Sequence, residues 1–231
     1  MDHMFFWVDC RSNGRWKMEY TITSLKLQER NKNRVNVFLD GEFAFGVARV
    51  VAGWLFVGQR ISDEKIVELK TADEKEVALQ RVLRFLSYRA RSVTEVRRYL
   101  EKYKYSEEII TNILDRLQEN GLLNDHQFAE AWVENRNTFR PRSKRALKIE
   151  LRQRGVQDEA IEKAIEDVDE EELAYQAALK QSRRLKDLDW QDFRKKLYEF
   201  LLRRGFNYET ASITVRKVWE ESNADGSNNE N

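Results

Sequence analysis

The sequence predicts a mainly α-helical chain: three tandem three-helix repeats forming an elongated array, preceded by a small N-terminal β-hairpin-plus-helix module. Three observations lead there. A segment of roughly fifty residues occurs three times, which marks stacked units and not one fold. The copies align on Leu100, Leu151 and Leu201, in LEKYKYSEEIITNIL, LRQRGVQDEAIEKAI and LLRRGFNYETASITV. Pro141 is the only proline, as a nearly all-helical chain requires. Asp40-Gly41, set between apolar runs, is the strongest short hairpin signal in the chain.

Taken in order, residues 1–18 read as a poorly ordered extension. Their apolar patch, Met4 to Val8, is followed and not preceded by basic residues, the wrong order for a secretory signal, and Met18 is an alternative start. Residues 19–70 form the β-plus-helix module. Thr21, Thr23, Leu25 and Leu27 make one run and Val35, Val37 and Leu39 another, joined by the turn residues Asn31-Lys32-Asn33. A third strand follows Gly41, then a helix from Val47 to Phe56, and a short helix capped at Ser62-Asp63-Glu64.

Everything beyond Thr71 reads helical, as repeats over 71–124, 125–168 and 169–221, with a low-complexity, disordered tail at 222–231. The first repeat resolves into helices near Glu74 to Tyr88, Val93 to Tyr103 and Glu107 to Glu119. Thr71 to Glu74 and Ser92 to Glu95 are capping boxes, and Asn124 to Gln127 is a weaker one. Helices of the second repeat start near Asp125, Ser143 and Asp158, and those of the third near Glu170, Asp189 and Tyr208. Core spacing picks out Phe85, Tyr99, Leu100, Ile110 and Leu114, then Phe128, Trp132, Leu147, Leu151 and Ile161, then Leu173, Leu197, Leu201, Val215 and Trp219. Units that cannot bury their own apolar faces must stack on neighbours, and the extended surface that results suits a long ligand.

Charged residues are 35% of the 231, yet the net charge is only +1, so any strong field must be local. Within each repeat the first two helices are basic and the third is more acidic. The candidate binding residues are Arg89, Arg91, Arg97 and Arg98, then Arg140, Arg142, Arg145, Lys148 and Arg152, then Arg194, Lys195, Arg203 and Arg204. Three repeats of one polarity predict a positive and a negative stripe, the first suited to a phosphate backbone. The plainer reading is that these charges are solvated helix faces paired with one another. Reversing Arg142, Arg145 and Arg152 to Glu is the substitution set that tests the stripe. Tyr88, Phe139 and Tyr198 lie beside basic residues, placed to stack on bases or to pack at the rim.

Catalytic and metal chemistry find little support. His3, His126 and Cys10 are too few and too dispersed for a zinc site, and no phosphate-binding loop is present. His126 falls at a helix start, where capping or surface exposure is its expected use. No enzyme and no cofactor are expected. One cysteine excludes an intrachain disulfide, and no apolar run is long enough to cross a bilayer, so a cytoplasmic protein is expected.

The stretches LSYRARS at Leu86 to Ser92, GLLNDHQFA at Gly121 to Ala129, and Lys148 to Val156 resemble the RecX family of bacterial regulatory proteins, over about Glu76 to Trp219. The N-terminal hairpin module also looks like one carried by longer members. The resemblance implies three tandem three-helix repeats that bind RecA, the bacterial recombinase, in the groove of its filament on single-stranded DNA. It implies restraint of strand exchange, ATP hydrolysis and co-protease activity in DNA repair, recombination and the SOS response, by a monomer. Lys104 stands where members often carry Gly, so a differently shaped helix end is expected there. A different class of function stays open: a helix-turn-helix repressor reading duplex DNA with the Ser143 to Arg154 helix, Lys148 and Arg152 facing outward. A generic helical scaffold is the third reading.

Overall fold

The computed structural model describes residues 19–227, the last five as backbone only, so the expectations for residues 1–18 and for 228–231 lie outside the described residues. Two compact units result, one ending at Leu83 and the other starting at Arg84. The first holds strands β1 (Glu19–Leu27), β2 (Arg34–Leu39), β3 (Glu42–Ala48) and β4 (Arg60–Ser62), arranged β3-β2-β1-β4 with every neighbouring pair antiparallel. Asp40 and Gly41 take φ of 49° and 94°, the pair of positive values that matches a two-residue turn to strand twist. Alternation on β2 buries Val35, Val37 and Leu39, which meet Ile22, Phe45, Val47 and Ile61 in one core.

Three elements differ from expectation here. The stretch from Val47 to Phe56 is the end of β3 followed by a single 3-10 turn at Val51–Trp54, not a helix. Val47 pairs with Val35 in the sheet, and Trp54 is 89% exposed, so no packed helical face exists to hold a longer helix. The fourth strand, β4, was not signalled, being only three residues long. Finally, helix α1 (Asp63–Ser87) is continuous where two helices were expected. No Gly or Pro interrupts 63–87, so the helix runs on through the Thr71 to Glu74 pattern, and Asp73 within it is tied to the strands. Its carboxylate accepts from the Ala48 N–H at 2.6 Å and pairs with Arg34 at 2.9 Å.

The remaining helices are α2 (Val93–Lys102), α3 (Glu107–Glu119), α4 (Asp125–Phe139), α5 (Lys144–Gln153), α6 (Asp158–Ile165), α7 (Glu170–Ser182), α8 (Trp190–Arg203) and α9 (Tyr208–Ser227). Seven starts carry side-chain caps: Ser92, Ser106, Asn124, Ser143, Asp169, Asp189 and Asn207 each accept a backbone N–H from the first turn. Each cap satisfies donors that a helix end leaves unpaired, worth about 1 kcal/mol. Helix α9 runs on through Ser227, beyond the expected start of the tail; Ser222 donates to the Val218 carbonyl at 2.7 Å in continued helical geometry. The aligned leucines Leu100, Leu151 and Leu201 are fully buried, as are Val96, Leu147 and Leu197 one turn earlier. Phe128, Leu147, Leu151 and Ile161 centre the second core, and Leu173, Phe193, Leu197 and Leu201 the third.

Each middle helix ends in the same turn. The amides of Tyr105, Val156 and Phe206 reach back to the carbonyls of Leu100, Leu151 and Leu201, at 3.5, 3.2 and 3.2 Å. The residue between is left-handed in all three: Lys104 at φ 60°, Gly155 at 75° and Gly205 at 91°. Lys104 therefore does not reshape its helix end, contrary to expectation. The glycines answer a second demand. A Cβ on Gly155 would lie 2.3 Å from Thr94 Oγ1, and one on Gly205 2.6 Å from Ser143 Oγ. The turn ending α5 thus sits against the start of α2, and the turn ending α8 against the start of α5. Lys104 belongs to the first repeat, with no earlier serine-capped helix to admit, so it meets only the conformational cost.

The same joint recurs in hydrogen bonds. Ser92 donates its hydroxyl to the Arg154 carbonyl at 2.6 Å, and the Ser143 N–H donates to the Arg204 carbonyl at 3.2 Å. The Val93 N–H is taken by Asp125 and the Lys144 N–H by Glu170, both at 2.9 Å. At the first joint Glu95 accepts two bonds from Arg89, at 2.9 and 3.0 Å, and one from Arg154 at 2.6 Å. Burial, the largest influence on Glu95, would raise its pKa, but the Arg89 bonds and the charges of Arg89, Arg154 and Arg91 outweigh it and hold the carboxyl below its usual range. Asp125 is shifted the other way, chiefly by burial.

Two outcomes follow for stability. Gly155→Ala is expected to cost about 2 kcal/mol or more, from left-handed strain and the Thr94 clash, whereas Lys104→Gly is neutral or stabilising by up to about 1 kcal/mol; urea unfolding of both variants checks the contrast. Because the folded Glu95 pKa lies below its unfolded value, its contribution is present above about pH 4.5 and is lost as pH falls through the folded value. Glu95→Gln is therefore expected to lower stability at neutral pH and to flatten the acid limb of the stability–pH curve relative to wild type. Asp125→Asn should steepen that limb, since its raised pKa makes the folded state take up a proton first.

Candidate nucleic-acid interface

The candidate cations fall into three groups once the helices are in place. The first is neutralised within its own repeat. Across the turn from α2 to α3, Arg97 pairs with Glu107. At the corresponding place in the second repeat Lys148 pairs with Glu162 and Arg152 with Asp158, both at 2.7 Å. The third repeat substitutes an aromatic contact, Tyr198 against Tyr208 with ring centroids 6.4 Å apart. Arg203 lies 3.8 Å from Glu199 on its own helix. The basic middle helix and the acidic last helix of a repeat therefore face each other, and the two separate stripes expected from charge order are not formed by these residues. The reason is the shared turn, which brings Arg97, Lys148 and Tyr198 of the middle helices against Glu107, Glu162 and Tyr208 of the last. Exposed pairs of this kind are worth only about 0.2–1 kcal/mol.

The second group is gathered at the two joints. Arg89 and Arg91 stand before α2, with the Arg91 guanidinium 3.9 Å over the Phe85 ring. Arg142 stands before α5, its Nε 3.0 Å from a Glu150 oxygen, and Glu150 also accepts from Arg136 at 2.7 Å and from the Trp132 indole at 2.9 Å. Trp132, expected in the core, is half-buried with the guanidinia of Arg154 and Arg136 at 3.8 and 4.5 Å from its ring. Arg204 rests over Phe200 at 4.9 Å and reaches the Pro141 carbonyl. Burial first, then the charges of Arg142, Arg140 and Arg136, push the Arg204 pKa below the usual arginine value. Arg91 is depressed in the same way, by burial and then by Arg89, with Glu95 opposing and Arg154 reinforcing.

The third group, Arg98, Arg140, Arg145, Arg194 and Lys195, is exposed and makes no ion pair among the described residues. Tyr88 and Phe139 are exposed beside these cations, at 77% and 63%, while Tyr198 is half-buried against Tyr208. His126 is exposed, and its backbone N–H is capped by Asn124. Arg136 and Arg154, which belong to the basic run of the second repeat, were not among the candidate binding residues, although Arg154 completes the first arginine cluster and Arg136 the second. The available signal was the repeated Arg-x-Arg-Ser, at Arg89 to Ser92 and Arg140 to Ser143. Among the described residues no group of three His, Cys, Asp or Glu side chains is placed to hold a metal, and no helix is long and apolar enough to cross a membrane.

Comparison with known proteins bears on all four parts of the chain. Family models described as the RecX first, second and third three-helix domains match residues 78–117, 124–165 and 169–213, and the regulatory protein RecX N-terminal domain matches 20–62. Regulatory protein RecX of Bacillus subtilis is 31% identical over 209 residues, covering 88% of this chain and 79% of the relative. That of Leuconostoc mesenteroides is 31% identical over 206 residues, covering 87% and 77%. A crystal structure of regulatory protein RecX superposes with a TM-score of 0.66 at 28% identity, over 84% of this chain and 98% of the other. RecX from Lactobacillus salivarius shares the fold at a TM-score of 0.55 and 24% identity, over 64% and 97%. Three three-helix repeats following a four-stranded module, matched domain by domain in order, place this chain in the RecX family of regulatory proteins.

Proposed function

We propose that this chain binds RecA and its filament on single-stranded DNA and restrains it, lowering ATP hydrolysis, strand exchange and co-protease activity without catalysing a reaction of its own. It acts as a cytoplasmic monomer and needs no cofactor. Membership of a regulatory family supports the role. The observation that carries the nucleic-acid part is the set of exposed cations without internal partners, Arg98, Arg140, Arg145, Arg194 and Lys195, distributed over all three repeats. Cations of this kind attract a phosphate backbone through counterion release, and the loosely paired Arg97, Lys148 and Arg152 can exchange a carboxylate for a phosphate at little cost. Acidic side chains freed by that exchange would face basic protein surfaces.

The ATP hydrolysis rate of the cognate RecA on single-stranded DNA, with this protein titrated in, tests the reading. Inhibition is expected well below one molecule per RecA, and it should persist at a salt concentration that abolishes binding to bare DNA. Absence of inhibition at every ratio, together with tight binding to a particular duplex, would reverse it. Reversing Arg98, Arg145 and Lys195 to Glu should weaken filament association by at least about tenfold while leaving the thermal midpoint within a few degrees, since all three are exposed and unpaired. The set Arg142, Arg145 and Arg152 is a poorer choice: Glu at 142 or 152 confronts Glu150 or Asp158 and confounds binding with stability.

A further inference from the structure

The Arg-x-Arg-Ser segments occupy equivalent places before α2 and α5, and each is completed by the next repeat. Ser92 and Ser143 are fully buried and bonded to the backbone of Arg154 and Arg204, which fixes the two preceding arginines on a rigid base. The Nε atoms of Arg91 and Arg142 are both buried and have no hydrogen-bond acceptor. Arg142 Nε is 3.0 Å from Glu150 Oε1, yet the N–H does not point at that oxygen. Buried donors almost always find an acceptor, so the same orphan at two equivalent positions calls for an explanation.

Charge points to the same place. Glu95 is the one carboxylate paired with Arg89 and Arg154 at the first joint, and Glu150 the one paired with Arg136 and Arg142 at the second. Asp125 and Glu170 are engaged by the backbone N–H groups of Val93 and Lys144. Guanidinia thus outnumber the carboxylates that face them at both joints.

We propose that each joint is a seat for one backbone phosphate of a polynucleotide. The terminal guanidinium nitrogens of Arg91 or Arg142 and of the neighbouring Arg89 or Arg140 are its donors, and Glu95 or Glu150 holds the guanidinia in place until phosphate arrives. Two equivalent seats on successive repeats fit a ligand that itself repeats the same group, which an isolated phosphate does not. The third repeat carries Trp190 and Asp192 at the corresponding positions and so lacks the arginine pair that a seat requires. The proposal rests on contact with nucleic acid but not on RecA, and its test uses bare DNA so that the two can fail separately.

Binding of the full chain to a fluorescent single-stranded oligonucleotide, measured across a salt series, is the experiment. The double variant Arg91→Gln/Arg142→Gln is expected to weaken binding and to flatten the slope of log K against log salt by about 1.4, two single-strand phosphate contacts. Glu95→Gln/Glu150→Gln is expected to bind several-fold more tightly despite its lower stability, an outcome that misfolding cannot imitate. Wild-type affinity and slope in both pairs of variants would overturn the proposal. So would inorganic phosphate raising the Tm of wild type but not of Arg91→Gln/Arg142→Gln at matched ionic strength, which would assign the seats to an isolated anion. Displacement by a polyglutamate peptide with no change in the DNA slope would assign them to a protein carboxylate and overturn it equally.

Discussion

A left-handed turn at the end of α5 and again at the end of α8, pressed against the serine-capped start of the middle helix one repeat earlier, is the contact on which the helical part of the chain depends. The turn closes its own helix by returning the amide of Val156 or Phe206 to the carbonyl of Leu151 or Leu201. Its glycine leaves room for Thr94 or Ser143, and its exposed carbonyls accept from the approaching cap. Local geometry and repeat stacking are thus satisfied by the same few atoms. A stacked array needs interfaces of this kind, because each unit leaves apolar surface that only a neighbour covers.

Charge follows from this arrangement. Where the middle and last helices of a repeat meet, cations and carboxylates find each other and largely cancel, as Arg97 with Glu107 and Arg152 with Asp158. Where one repeat meets the next, arginines come from both sides, Arg89 and Arg91 from one and Arg154 from the other, and the balance tips positive. The aromatic rings of Phe85, Trp132 and Phe200 carry part of that excess by lying under guanidinia, a contact that strengthens as water is excluded. A chain of almost zero net charge can in this way keep concentrated positive sites at regular points of its fold.

How much was legible beforehand varies with how local each signal is. Caps and stops are written in three or four neighbouring residues, so the helix starts at Val93, Glu107, Asp125, Glu170 and Tyr208 lie at or next to the places the caps suggest. The Asp40-Gly41 hairpin was equally readable, because only small or polar residues tolerate two positive φ values in succession. Thr71 to Glu74 misled for the converse reason: the capping pattern is present, but no residue nearby breaks the helix and Asp73 has a better use against Arg34 and Ala48. Lys104 shows the limit of reading a glycine from its absence, since the backbone can be left-handed without one when nothing crowds it.

The sequence by itself determined the three-fold helical repetition, the hairpin module, the buried leucines and the family, because periodicity, capping and turn chemistry are short-range properties of the chain. Only the tertiary structure decided which cations are free. Arg152 and Arg145 differ little in sequence context, yet one meets Asp158 and the other meets solvent. Arg91 and Arg154 lie far apart in the chain and become neighbours only when two repeats dock. Electrostatic neighbours are set by through-space distance, and distance between side chains of different helices is a property of packing that no local pattern encodes.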